Sequence, residues 1–351
     1  FPYEQWTKLL ARRAREFKRP SLNYAFAAGH PALKAAIASY LGAARGVSCK
    51  PEQVIVTAGA QAGLDLSARL LSDPGDPIWI EEPGYMGARG AFLSAGAKLI
   101  PIPIDEEGMM ADAAPATTPS PKLIYTTPSH QYPLSVTMSL NRRLSLLDRA
   151  ASEGAWVLED DYDSEYRYGG RPVAALQGLD GQERVIYMGT FSKVIFPSLR
   201  VGYLVVPEPL IDVFETAQRQ TGQSASVIIQ AALADFINDG HFASHIRRMR
   251  KLYQSRQELL LESLEAECGA LLGVAPSPAG LQIPAFLRND QDDIALSEAA
   301  QSKGVFAPPL SNLYLGNKKR KGFMLGYAGV PEAKIKMASR RLGQVLRDAG
   351  N

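Results

Sequence analysis

Only two of the 351 residues are cysteines, Cys49 and Cys268, and only four are histidines. That is too few thiols for a disulfide framework, and the spacing suits no metal centre. His241 and His245 stand at helical i, i+4 spacing, but no glutamate lies between them in the zincin pattern, so they read as a solvated or structural pair. Charge of one sign is not in excess: 38 basic and 36 acidic side chains leave a net +2. No global field drives the chain onto nucleic acid or an anionic membrane. Long apolar runs are missing too. The longest, near 227–237, is interrupted by Gln230 and Asp235, and none reaches the length of a bilayer span. The first residues do not read as a secretory leader, and a cytoplasmic location is the expectation. The first residue is Phe1 and not methionine, which reads as processing or as excision from a longer protein.

Hydrophobic residues make up 46% and charged residues 21%, the balance of an ordinary soluble globular protein. The length suits a large domain with a smaller companion. Residues 1–20 read as a basic amphipathic helix with Trp6, Leu9, Leu10 and Phe17 near one face and Pro20 as its end. A second helix follows at 31–44. Strand patterns at 54–57, 77–80, 98–102, 122–126, 155–158, 185–188 and 201–206 then alternate with helical ones at 61–71, 85–95 and 140–153. Residues 115–121 form a Pro/Thr-rich loop. Such alternation predicts an α/β fold with a mostly parallel sheet between helices. Helical periodicity dominates from Leu210 to about Cys268, broken near Gly222 and Gly240, and helices near 294–303 and 331–349 follow among short strands. The expected division is an N-terminal arm at 1–30, a large domain at 31–240, and a connecting helix with a small α+β domain at 241–351.

Four segments carry chemistry. The first is Thr190-Phe191-Ser192-Lys193, followed by Arg200-Val201-Gly202. A lysine just beyond a buried strand can form an imine with an aldehyde. Hydroxyls and a planar arginine suit a phosphate ester. The second is Glu159-Asp160-Asp161-Tyr162-Asp163, where open α/β sheets place their ligands. A carboxylate here can pair with a protonated pyridine nitrogen, whereas a Mg²⁺ site would lack its companion phosphate-binding motif. The third is Thr57-Ala58-Gly59-Ala60-Gln61, a turn of small residues into a helix N-terminus. In the fourth, Glu82-Pro83-Gly84-Tyr85, the tyrosine reads either as a core aromatic or as a ring that stacks on a flat ligand.

In this order the motifs resemble the pyridoxal-phosphate-dependent fold type I superfamily, with the fold of class I aminotransferases. More narrowly the chain resembles the aminotransferase-like effector domain of MocR/GabR regulators, a branch of the GntR transcription factors. Thr127-Pro128-Ser129-His130-Gln131-Tyr132-Pro133-Leu134 and Glu159 through Tyr168 are close to the regulator form. The resemblance implies a Schiff base on Lys193 and pairing of Asp160 with the pyridine nitrogen, with Asp161 as the alternative. It implies Tyr162 on the phenolic oxygen and Tyr85 stacked on the ring. Thr190, Ser192, Arg200 and the backbone at Ala60 and Gln61 would hold the phosphate, and His130 would lie near the oxygen edge. Two departures stand out. Met324 occupies the place of the carboxylate-binding arginine of aminotransferases, and Gly87 that of an arginine in GabR-like sensors, with Arg89 two residues further on.

The resemblance therefore implies an effector-sensing domain that binds an amine ligand as an external aldimine at Lys193. DNA would be bound only through a winged helix-turn-helix upstream of Phe1, and the chain would form a homodimer with Trp6 packed across the interface. An active aminotransferase is the alternative, since every cofactor residue serves both. The run Lys318-Lys319-Arg320-Lys321 reads as a solvated turn, with DNA contact as the other possibility.

Overall fold

The computed structural model describes residues 1–16, 26, 28–115, 117–169 and 173–349. The expected helix end at Pro20, with Phe17 on its apolar face, lies outside the described residues. Eight strands form one sheet: β1 (Val54–Thr57), β2 (Pro77–Glu82), β3 (Lys98–Asp105), β4 (Gly108–Met109), β5 (Leu123–Thr126), β6 (Trp156–Asp161), β7 (Val185–Thr190) and β8 (Gly202–Val205). Their order is β1-β8-β7-β6-β5-β2-β3-β4. The inner pairs β3–β2, β2–β5, β5–β6 and β6–β7 are parallel. The reversed strand β8 runs antiparallel to both β7 and β1. The α/β reading with a mostly parallel sheet holds.

Helices cover both faces. On one, α3 (Ala60–Leu71), α4 (Met86–Ser94) and α7 (Ile211–Thr221) bury Leu64, Phe92 and Phe214 against Ile80, Leu158 and Leu204. On the other lie α1 (Tyr3–Glu16), α2 (Pro31–Arg45), α5 (Leu140–Glu153), α6 (Leu176–Leu179) and α8 (Val227–Asn238). The 28-residue α9 (His241–Cys268) then runs out to a second core. That core holds a three-stranded antiparallel sheet of β9 (Leu272–Val274), β10 (Gln282–Leu287) and β11 (Gly322–Gly326), with α10 (Asp293–Ser302) and α11 (Glu332–Asp348). No described helix is long and apolar enough to cross a membrane.

Two expectations need correction. The strand anticipated at 155–158 continues to Asp161, and the one at 185–188 to Thr190. Acidic residues usually end a strand; here each buried carboxylate meets donors that replace water, so the backbone stays paired. Trp6 and Leu9 do not wait for a second subunit. They are buried in this chain against Phe196 and Phe236. Asp235 of α8 fixes that docking, since Arg12 approaches it at 2.6 Å and Arg13 grips it with Nε at 2.7 Å.

His245 is buried, and its Nε2 lies 3.1 Å from the Val194 carbonyl oxygen. This is the structural reading of the pair with His241, and no group of metal-binding side chains occurs among the described residues. Arg320 stacks on Phe286, 3.5 Å from the ring centre, and Lys321 pairs with Asp290 at 2.9 Å.

The segment bearing His130 is nailed down by one cation. Arg143 of α5 is fully buried and donates to the carbonyl oxygens of Met138 (3.0 Å), Ala174 (2.8 Å) and Pro128 (2.7 Å). Replacing it strands three acceptors without water. We expect Arg143→Leu to cost at least ~3 kcal/mol of stability, read from the urea midpoint at an unchanged m-value.

Candidate functional site

The parity of β6 settles which aspartate faces which way, because successive side chains of a strand point to opposite faces. Leu158 packs with Tyr125 and Met188 on the α3–α4 face, so Asp160 emerges on that face as well. Its Oδ2 accepts from the Tyr125 hydroxyl at 2.7 Å, while Oδ1 is buried without a partner. Burial pushes the Asp160 carboxyl up to about 7; the Tyr125 hydroxyl pulls it down, and Asp161, Glu81 and Asp163 add to the rise. Glu159 and Asp161 face the other way. Glu159 accepts the N–H groups of Leu176 (2.9 Å) and Gln177 (3.0 Å) at the start of α6. Asp161 Oδ2 takes donors from Arg45 (2.8 Å), Ser164 (2.8 Å) and Tyr187 (2.6 Å). Asp161, the alternative to Asp160, thus holds α2 to the sheet through Oδ2, and its Oδ1 is also without a partner.

Past the end of β6, Tyr162 Oη lies 3.2 Å from His130 Nδ1. The same nitrogen is 2.9 Å from Asp163 Oδ2. Burial raises the Asp163 carboxyl, against the pull of His130 and, more weakly, of Lys193. Tyr85 precedes α4, is 37% exposed, and meets Tyr132 edge-on at 5.8 Å. It is therefore not a core residue. Burial raises its hydroxyl and the field of Asp160 adds to that. A Cβ on Gly87 would sit 2.6 Å from the Tyr85 hydroxyl, so Tyr85 fills the space that a side chain at 87 would need.

The third group gathers where β1 and β8 meet. Gly59, at φ +93°, caps α3 with no side-chain bond, which leaves the N–H groups of its first turn without a side-chain cap. A Cβ on Gly202 would lie 2.7 Å from the Gly59 carbonyl carbon; only glycine lets the two turns touch. Arg200 and Gln61 line one depression of about 370 Å³ with Ala58 and Gln223. Thr190, the last residue of β7, accepts the Ser192 N–H at 3.2 Å through Oγ1. Lys193 is exposed to a cleft of about 920 Å³ that Tyr132, Ser192, Leu281 and Met324 also line.

These features fit a flat, cationic ring with an anionic tail. An orphaned, buried carboxylate oxygen asks for an N–H partner. An uncapped helix start beside an arginine suits a phosphate. Lys193 offers an amine at the cleft. Sequence reasoning missed Tyr125, Asp163 and Ser277. Tyr125 is recognisable only from strand pairing, and Ser277 lies 147 residues from His130, with its Oγ 3.3 Å from Nε2. The departures are also explained. Met324 is buried in the cleft wall beside Leu310 and Leu313. Arg89 is spent on Glu82 at 3.4 Å and on the Leu313 carbonyl.

The unpaired Asp160 predicts a pH dependence of the cofactor-free protein. Below its ordinary value of 3.8 both folded and unfolded chains hold the proton. Between there and about 7 only the unfolded chain releases it, so stability falls as pH rises. Asp160→Asn removes this penalty, on the order of a few kcal/mol. We expect its gain in melting temperature to be large at pH 8 and small at pH 4.5. An equal gain at both would contradict the assignment.

The matches to known proteins agree with this geometry. The family model "Aminotransferase class I and II" matches residues 2–342. The chain is 49% identical over 330 residues to the probable rhizopine catabolism regulatory protein MocR of Rhizobium meliloti, covering 94% of this chain and 66% of that protein. It is 37% identical to the uncharacterized HTH-type transcriptional regulator YdeL of Bacillus subtilis (strain 168), covering 97% and 73%. Among solved structures it is similar to Pyrococcus horikoshii kynurenine aminotransferase in complex with PMP, with a TM-score of 0.91 and 30% identity over 100% of this chain and 88% of that one. The chain belongs to the aminotransferase class I and II family, in the part of it that HTH-type transcriptional regulators share.

Proposed function

We propose that this chain is the effector-sensing domain of a transcriptional regulator, with pyridoxal phosphate held on Lys193 and an amine as its effector. The observation that carries the reading is the pairing of a cofactor cradle with Met324 in the cleft wall. When bound, pyridoxal phosphate supplies an electrophilic aldehyde carbon at which one amine replaces another. Lys193 would hold that carbon through its Nζ, and an effector amine would compete for the same position. Asp160 accepts from the ring nitrogen through its unpaired Oδ1. Tyr162 donates to the phenolic oxygen, with His130 behind it, and Tyr85 packs on the ring. Thr190, Ser192, Arg200 and the N–H groups of Ala60 and Gln61 hold the phosphate.

In this reading residues 31–240 form the cofactor-bearing body and 241–351 the part that responds. Glu82 accepts the N–H groups of Leu315 (2.7 Å) and Gly316 (2.6 Å), and Arg89 reaches Leu313. A change in the cleft can thus reach the second core through the 313–316 segment. DNA is bound by a separate N-terminal winged helix-turn-helix, since the regulator relatives are longer than this chain. We also propose a homodimer. Sedimentation of the cofactor-loaded protein at micromolar concentration checks this, and a monomer would count against it.

Amino-group transfer should be slow or absent, because a carboxylate without a charged partner loses the orientation that proton transfer at Cα needs. The test has two arms. Borohydride should fix the cofactor covalently to the native chain and not to Lys193→Ala; an adduct on the variant at this site would sink the assignment. Single-turnover mixing with proteinogenic amino acids and with amines that lack a carboxylate should perturb the visible spectrum with little transfer. Rapid catalytic transamination of any amino acid would favour the enzyme reading, which the aminotransferase neighbours keep open.

A further inference from the structure

A smaller cavity, of about 110 Å³, lies on the α2 side of the large sheet. Tyr40 and Arg45 of α2, Ser164, Glu165 and Arg167 of the turn after β6, and Arg250 of α9 meet there. It shares no residue with the cleft at Lys193. Three of those six residues are arginines, and they differ in what they bond. Arg45 is fully engaged: Nε donates to Asp161 (2.8 Å), Nη1 to the Val173 carbonyl (2.9 Å) and Nη2 to Ser129 Oγ (2.5 Å). Arg167 is half-buried and has one long contact, Nη1 to Thr137 Oγ1 at 3.5 Å, while its Nε is buried without an acceptor among the described residues. Arg250 donates from Nε to the Glu165 carbonyl oxygen, which leaves its two terminal nitrogens without an acceptor among those residues.

Every acidic side chain of the sequence falls among the described residues. Asp161 pairs with Arg45, and no carboxylate pairs with Arg167 or Arg250. The one carboxyl in the wall does not offset them. Glu165 Oε1 accepts from the Tyr40 hydroxyl at 3.1 Å, and burial, with the charge of Asp161, pushes its carboxyl up. It can therefore take a proton and cease to repel an anion. Burial, then the charge of Arg45, holds the Arg167 guanidinium below its ordinary value. Guanidinium forks with unused N–H groups match the oxygens of phosphate or sulfate. The volume admits one tetrahedral oxyanion and no nucleotide.

We propose that this cavity is a binding site for a small free oxyanion, inorganic phosphate or sulfate, held between the forks of Arg167 and Arg250. Its place in the fold gives it a consequence. Arg250 stands on α9, the helix that runs out to the second core. Arg167 belongs to the turn on which that core is seated: it bridges to Ala279, Tyr168 N–H donates to the Pro278 carbonyl (2.8 Å), and Gly280 N–H donates to the Tyr166 carbonyl (3.0 Å). A Cβ on Gly280 would meet His130 Cε1, so the same loop lies directly on the imidazole. An anion shared by the two arginines pins α9 to this turn and favours one seating of the second core.

The experiment is a calorimetric titration of the full chain with inorganic phosphate, at an ionic strength held constant with chloride. The chain is first loaded with pyridoxal phosphate, so that the phosphate place at Ala60 and Arg200 is taken. One phosphate per chain is expected. Arg250→Gln changes an exposed side chain and should weaken binding about tenfold or more, as should Arg167→Gln. Glycerol phosphate should bind at least about tenfold more weakly than phosphate, and equal binding of this ester would overturn the assignment to a free ion. No binding above the chloride background, or binding that Arg250→Gln leaves unchanged, overturns the proposal. Should the chain not take up pyridoxal phosphate, the same titration of cofactor-free Arg200→Gln decides, so failure of the cofactor reading is told apart from failure of this one.

Discussion

A strand that carries three consecutive carboxylates into the protein interior must find a partner for each of them. Strand β6 does this with Glu159, Asp160 and Asp161, none more than 5% exposed. Glu159 is settled by the start of α6, and Asp161, though its Oδ1 also lacks a partner, is paired with the Arg45 cation and two hydroxyls through Oδ2. The third is not. Tyr125 satisfies one oxygen of Asp160 and nothing satisfies the other. An unpaired buried acceptor is expensive, and it lies on the face where α3, α4 and α7 bury their apolar side chains. A charged N–H group docked there would relieve that strain and return Asp160 to its ionised form. The stability of the empty protein and the affinity for a cationic ring are thus two sides of one placement.

Around that placement the site is assembled from pieces of backbone that only particular residues permit. Gly202 lets β8 touch the turn at Gly59, and Arg200 reaches the start of α3 from a left-handed conformation at φ +48°. Gly280 lets the second core rest on His130. The second core is joined to the first by more than α9: Glu82 and Arg89 take the 313–316 segment, and His130 takes Ser277. These links flank the cleft that Lys193 opens into. In the proposed reading, a change at Lys193 would reach the second core through these short contacts and need no long pathway.

Much of this was legible in the sequence. The alternation of strands and helices gave the sheet, and the motifs taken together pointed to the aminotransferase family that the chain belongs to. Legibility failed where the answer depends on partners distant in the chain. Composition stopped β6 at Leu158, since it cannot show that Arg45 and Leu176 wait for Asp161 and Glu159. It placed the stripe with Trp6 at a subunit contact, since it cannot show that Asp235 would capture Arg12 and Arg13. Asp163 stood in a quoted motif without a role because its role is its distance to His130. That Asp160 and Asp161 face opposite ways needs only the parity of a strand, but which face each takes is known once Leu158 is seen to pack with Tyr125.

Sensing and transamination ask different things of one cradle. In the reading proposed above, both would need an amine to take the place of Lys193, with the ring held by Asp160 and the phosphate by the turn at Ala60. Transfer asks in addition that one Cα–H bond be held at a fixed angle to the ring, which a second anchor on the substrate supplies. The chain offers little for that anchor among its described residues. Met324 stands in the wall, Gly87 yields its space to Tyr85, and Arg89 is turned to the second core. Arg89 shows this best: a cation close to the cleft is engaged by Glu82 and the Leu313 carbonyl and so holds a segment of protein. On the proposed reading, a ligand that enters here would exchange with Lys193 and press on the elements around it. That is sufficient for a switch, which needs only a difference in binding between two arrangements of the second core.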